Sequence, residues 1–226
     1  MHFRHAFAEA GEGHPLILLH GNGESKEYFA AQMNAFAVCR HVYALDTRGH
    51  GASERGDTPF TLAQFAQDLE AFRAEHGFDS MDLLGFSDGG NIAMLYALRY
   101  PERVSKLILN GANLDPSGVK RSVQLPVEIG YRLASFFARL TPKAKSHAEL
   151  LGLMVNEPHI APEALAKLTM PALVIAGDKD MIREDHTRKI AASLPDSELA
   201  ILPGDHFVAA KNPEAFNRTV LGFLEN

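Results

Sequence analysis

Apolar and polar positions follow two periods along this chain. Short runs that are apolar at nearly every position recur: "LILLH" (16–20), "HVYALD" (41–46), "MDLLGF" (81–86), "SKLILNG" (105–111), "PALVIAG" (171–177) and "ELAILPG" (198–204), with a weaker one, "FRHAFAE" (3–9). Runs of this length without alternation suit strands covered on both faces. Between them, apolar residues return every three or four positions, as on amphipathic helices. "TLAQFAQDLEAFRAEHG" sets Leu62, Phe65, Leu69 and Phe72 on one side and offers Gly77 as its terminator. "GNIAMLYALRY" stops before Pro101, and "NPEAFNRTVLGFLEN" starts with Asn212 as N-cap and Pro213 in the first turn. Strands alternating with helices predict an α/β fold, with a mostly parallel central sheet and helices on both faces.

The alternation breaks once, between Leu114 and Thr169. A structureless loop of that length is improbable in a compact domain, and the stretch holds helical patterns such as "YRLASFFARL". A helical cap inserted over 114–169, before the penultimate strand, is the expectation. The alternative is that these helices pack on the sheet. The whole chain, 1–226, then forms one domain carrying this insertion.

Composition narrows the classes. Apolar content of 46% and charged content of 22% are ordinary for a globular chain. A net charge of −6 supplies no basic stripe for nucleic acid or for an anionic membrane surface, so neither is expected as a partner. One cysteine, Cys39, excludes an internal disulfide, and no cysteine–histidine spacing suggests zinc. The opening "MHFRHAFAEAGEGH" lacks a continuous apolar core of a signal peptide. A cytoplasmic protein, monomer or homodimer, is the expectation.

In open α/β sheets, ligands bind beyond the carboxyl ends of the strands. Those ends here carry His20-Gly21-Asn22-Gly23, Asp46 with Arg48 and His50, Ser87, Asp178 and Asp180, and His206. Gly85-Phe86-Ser87-Asp88-Gly89 fits a nucleophile elbow, a tight strand-to-helix turn flanked by glycines because side chains there would collide. A serine hydroxyl needs a base, and the base an orienting acid. His206 stands alone after the last strand; His20 and His50 precede the serine, and His14, His76, His147, His159 and His186 read as solvated. Spacing does not separate Asp178 from Asp180, since positions two apart point the same way. An oxyanion would find the Asp88 N–H at the helix start and a second N–H at Asn22.

With "HGNG" (20–23), "DTRGHGAS" (46–53), "GFSDGG" (85–90), "GDKD" (177–180) and "GDHF" (204–207) in this order, the chain resembles the α/β-hydrolase superfamily, in its cap-bearing serine esterase and peptidase-like branch. The resemblance implies Ser87 as nucleophile, His206 as base, Asp180 as acid and the Asn22 and Asp88 amides as oxyanion donors. It makes "DTRGHGAS" structural, and it implies no metal or organic cofactor. The segment before "LILLHG" is short for this family, so its opening hairpin is expected to be shortened.

Serine at the elbow implies acyl transfer on a small-molecule carboxylic ester. A perhydrolase, a carbon–carbon bond hydrolase, a lyase, or a small-molecule receptor with weak turnover is the alternative on the same fold. Tyr28, Phe29, Phe136, Phe137, Met154 and Phe207 are the candidate substrate contacts, with burial in the core as the competing role for the aromatic stripe. The carboxylate of Asp88 beside the nucleophile favours a cationic amine. "SDGG" with "NGAN" (110–113) is similar to hydrolases of amino-acid esters.

Overall fold

The structure, a computed structural model, describes residues 3–226; Met1 and His2 of the opening segment lie outside the described residues. Among these, seven strands form one sheet: β1 (Phe7–Ala10), β2 (Pro15–Leu19), β3 (His41–Leu45), β4 (Met81–Phe86), β5 (Val104–Asn110), β6 (Ala172–Gly177) and β7 (Ser197–Leu202). Their spatial order is β1-β3-β2-β4-β5-β6-β7. Only β1 runs antiparallel, pairing Phe7 with Leu45 and Ala10 with Val42. It is a four-residue strand at the edge of the sheet.

The apolar runs are buried because helices cover both faces. On one face, Leu62, Phe65, Leu69 and Phe72 of α2 (Leu62–Glu75) join Ile92 and Tyr96 of α3 (Asp88–Arg99) against Ile17, Leu83 and Leu109. On the other, Phe36 of α1 (Ala30–Phe36) and Phe216 and Val220 of the C-terminal helix (Pro213–Glu225) close over Leu18, Leu84 and Ile108. Each such side chain, fully buried, contributes about 1.5–3 kcal/mol. Thr61 caps α2 through Gln64 N–H at 3.1 Å, and Gly77 ends it at φ +68°. Asn212 does precede the C-terminal helix, but its side chain donates to the Pro203 carbonyl at 3.0 Å instead of capping.

The long interval between β5 and β6 divides in two. α4 (Arg121–Phe137) and α5 (Pro142–Asn156) form a hairpin in which only Gln124 and Leu153 are buried. The return through α6 (Pro162–Leu165) sinks Ile160, Leu165 and Leu168 into the core. Within 114–169, the α4–α5 hairpin stands out from the body and the rest packs on it. Three further contacts tie α5 to the body. Arg55 makes a two-pronged ion pair with Glu149 at 2.7 and 3.0 Å. Glu157 accepts the Leu62 N–H at 2.9 Å, and Asn22 Nδ2 donates to the Leu150 carbonyl at 2.8 Å. Beyond the cap, α7 (Glu184–Ser193) precedes β7, and α8 (Val208–Lys211) follows it, so that the C-terminal helix is α9.

After β2 the chain winds to β3 on one side, and after β4 it winds to β5 on the other. The crevice where that direction reverses, beyond the ends of β2 and β4, is where an open sheet offers a ligand site.

Candidate active site

β4 runs straight into that crevice and hands its last residue to Ser87. Ser87 sits at φ 53°, ψ −119°, the one non-glycine residue at positive φ among those described. Holding a side chain there costs about 1–3 kcal/mol, a strain usually met where a turn must aim a group. The turn is pinned by the Ser87 N–H donating to the Asn110 carbonyl at 2.8 Å. It closes so tightly that a Cβ on Gly85 would enter the Gly89 carbonyl, and one on Gly89 would enter the Leu19 carbonyl.

Ser87 Oγ lies 3.0 Å from His206 Nε2, and His206 Nδ1 lies 2.7 Å from Asp180 Oδ1. The tautomer that satisfies both places the proton on Nδ1, donating to the carboxylate, and leaves Nε2 to accept from the hydroxyl. Asp180 is held by the Ile182 N–H at 2.8 Å. Asp178 is occupied elsewhere: it accepts the Gly204 N–H at 2.9 Å and ties the loop after β6 to the loop after β7. The structure thus separates the two aspartates that spacing left equivalent. Gly111 completes the floor. At φ +62° a Cβ there would stand 2.8 Å from His206 Cε1 and 3.3 Å from Asp180 Oδ2, so the close approach of β5 requires glycine.

The Asn22 and Asp88 backbone N–H groups, from the loop after β2 and the start of α3, make no hydrogen bond among the described residues. Their side chains do. Asn22 Nδ2 bridges the Asp88 carboxylate, at 2.9 Å, and the cap carbonyl of Leu150. Asn91 Nδ2 reaches Asp88 Oδ1 at 3.3 Å and Asn113 Oδ1 at 3.0 Å, while Asn91 Oδ1 accepts the Asn113 N–H at 3.0 Å. Burial, with the nearby charge of Glu157 acting the same way, pushes the Asp88 carboxyl up to about 6 against the hydrogen bonds from Asn22 and Asn91. Glu157, half-buried at the end of α5, is likewise raised by burial.

Ser87, Asp88, Asn113 and Glu157 line a cavity of about 10 Å³ whose apolar walls are Val119, Met154, Met181 and Ile182. That is room for one water. No cation lines it. Val119, bridged to Ile182, divides it from a cleft of about 430 Å³ between α4, Val155 and Arg183.

Of the candidate substrate contacts, Met154 reaches this cavity. Phe207 does not line it but packs edge-on against the His206 ring at 5.6 Å, and Tyr28 stacks on Phe86 at 4.2 Å, one ring removed from His206. Phe29 is fully buried in the core. Phe136 and Phe137 point into solvent, so none of these three lines the cavity. The signals that sequence reading missed are Glu157, Asn91, Asn113, Met181 and Ile182; only Asn113 lay in a motif already singled out. His186 is buried, not solvated, and accepts the Leu114 N–H at 2.9 Å.

The "DTRGHGAS" turn braces the site from behind. Asp46 receives the Lys26 and Ala52 N–H groups at 2.7 and 2.8 Å, and Arg48 makes a buried bidentate pair with Asp68 at 2.7 Å on both prongs. Among the described residues, no group of three or more histidine, cysteine, aspartate or glutamate side chains is placed to hold a metal ion. No described helix is long and apolar enough to cross a membrane.

Set against known families, residues 14–141 match the profile described as the alpha/beta hydrolase fold. The chain belongs to the α/β-hydrolase family. This α/β-hydrolase is similar, at 29% identity over 95% of its length and 92% of the relative's, to a Caulobacter sp. (strain K31) protein provisionally named a carbamate hydrolase, RutD. It is 40% identical over 99 residues to human 1-acylglycerol-3-phosphate O-acyltransferase ABHD5, but there it spans only 28% of that protein's length. A hydrolase from Pseudomonas aeruginosa PA01 superimposes with a TM-score of 0.82 at 25% identity, over 99% of this chain and 95% of that one.

Proposed function

We propose that this α/β-hydrolase is a serine hydrolase of small carboxylic esters, working through an acyl-enzyme on Ser87. The observation that carries the reading is the unbroken chain Asp180–His206–Ser87, at 2.7 and 3.0 Å, ending on a positive-φ elbow. His206 Nε2 takes the hydroxyl proton as Ser87 Oγ attacks the carbonyl carbon. The carbonyl oxygen, now negative, is met by the Asn22 N–H from the loop after β2 and the Asp88 N–H at the start of α3. Collapse of the tetrahedral intermediate expels the alcohol, which takes the proton back from His206. Water then attacks the acyl-enzyme by the same route and regenerates Ser87. Asp180 keeps the imidazole in the tautomer this requires and stabilises the imidazolium.

The preferred ester carries an α-amine. Two carboxylates, Asp88 and Glu157, face a cavity without a cation, and the charge of Glu157 already raises Asp88. An ammonium group between them replaces repulsion with attraction. Since about 10 Å³ admits no ester, the α4–α5 hairpin opens for substrate. The experiment is turnover of alanine p-nitrophenyl ester and its N-acetyl form by wild type and by Ser87→Ala. Wild type hydrolyses both, the free amine faster, and Ser87→Ala hydrolyses neither above background. Equal rates on the two esters remove the amine preference, and an active Ser87→Ala removes the mechanism.

A further inference from the structure

The face that α4 turns outward is apolar. Leu125, Ile129, Leu133 and Phe136 repeat at helical spacing, with Phe137 beside them and Leu140 extending the line past the helix end, all 44–76% exposed. At 100° per residue, the six fall within an arc of about 120°. The opposite side of α4 is the one that packs, bringing Gly130 against Leu151 and Tyr131 against Gly152 of α5. A contiguous apolar face of this kind, left open on the folded chain, marks an interaction surface.

Its border names the partner. Arg121, Arg132 and Arg139 follow the same helical spacing along one edge of the stripe, and Lys120 and Lys143 flank α4 in the sequence, all five exposed. Between 120 and 147 the sole carboxylate is Glu128, already paired with Arg121 at 2.6 Å. This is a basic, apolar surface on a chain whose net charge is −6. The expectation that no anionic membrane is a partner rested on that whole-chain sum, which hides the local excess.

We propose that the α4 face docks the enzyme on an anionic lipid bilayer, with the stripe at the acyl boundary and the arginines among the headgroups. Helices with Phe and Leu on one side and Arg or Lys beside them lie in the interface in this way. The acidic remainder of the chain is repelled by the same surface, which orients the molecule cap first. A second copy fits less well: antiparallel pairing through the stripe would bring both arginine rows to the same edge.

Co-sedimentation of the full chain with vesicles of phosphatidylcholine, and of phosphatidylcholine mixed with phosphatidylglycerol, tests this independently of the reaction chemistry. Binding to the anionic vesicles is expected, and weakens as salt is raised. At about 1 kcal/mol per basic residue near the surface, Arg132→Gln with Arg139→Gln lowers partitioning by roughly 30-fold. Leu133→Ser with Phe136→Ser abolishes it, while far-ultraviolet circular dichroism and ester turnover in solution stay at wild-type levels. Absence of binding to anionic vesicles, or binding undiminished in both double variants, overturns the proposal. So does a wild-type dimer that Leu133→Ser with Phe136→Ser converts to monomer without any vesicle binding, which would assign the stripe to a second copy.

Discussion

Replacing Asp88 by asparagine removes one charge from the cavity and little volume, and leaves the backbone N–H at position 88 in place. If Asp88 receives the substrate amine, the variant loses a hydrogen bond between charged groups, worth about 1.5–3 kcal/mol. That corresponds to roughly 10- to 150-fold in kcat/KM for an amino ester. A ceiling of about 4 kcal/mol is set by two unit charges 4 Å apart at a dielectric of about 20. The N-acetyl ester lacks the cation and should change little, so the ratio of the two kcat/KM values isolates the effect and cancels the titration of the catalytic groups. The ratio should also depend on pH in a defined sense. Burial holds the Asp88 carboxyl at about 6, so its charge is present above that value and lost as pH falls through it. The amine, ordinarily near 7.7–8.0, remains protonated across that window. Wild-type preference for the amino ester therefore fades as pH drops through 6, and the Asp88→Asn ratio stays low and flat. An unchanged ratio in the variant, or a pH-independent ratio in wild type, refutes the reasoning.

The remaining expectations follow from the same geometry. Because folding raises the Asp88 carboxyl from 3.8, the folded chain binds that proton more tightly, and the stability so gained is lost as pH rises from about 4 through 6. Asp88→Asn should then be roughly 1–2 kcal/mol more stable than wild type at neutral pH in urea unfolding, after about 1 kcal/mol for a disrupted bond from Asn22 or Asn91; a less stable variant contradicts this. Asp180→Asn should lower kcat by about 10⁴-fold, while Asp178→Asn, which breaks only a loop tie, stays within a few-fold; comparable losses in both would sink the assignment of the acid. Gly111→Ala forces the imbalance of a methyl 2.8 Å from His206 Cε1, and a displacement of about 1 Å costs about 10²-fold in kcat; full activity in that variant shows that the imidazole has room to spare. Arg55→Ala releases Glu149 of α5, so kcat/KM for bulky esters should rise a few-fold relative to a small acetate ester, measured side by side.

Much of this site was readable from strand ends alone. Apolar runs locate the carboxyl edge of the sheet to within a residue or two, and an edge is where Ser87, Asp180 and His206 meet, however far apart they lie in the chain. What a run cannot supply is the direction of a loop side chain. Asp178 and Asp180 share a parity, and only the turn after β6, which sends Asp178 to the Gly204 N–H, tells them apart. Helical spacing has a matching blind spot. It places Leu133, Phe136 and Phe137 on one face of α4, but a period says nothing about whether that face meets core, substrate or solvent. Phe29 illustrates the converse, an aromatic next to Tyr28 that the core absorbs entirely. Asn22 was legible as an amide at a turn, not as a side chain joining Asp88 to the cap carbonyl 128 residues away. Glu157 came to the cavity only through the fold of the α5 return, which no motif marks.

The most direct measurement is covalent capture of the nucleophile. The wild-type chain, treated with a fluorophosphonate and digested, should carry the phosphonyl group on the peptide containing Ser87, and His206→Ala should label far more slowly. A folded chain that takes no label, or takes it on another residue while Ser87 stays free, would contradict the account.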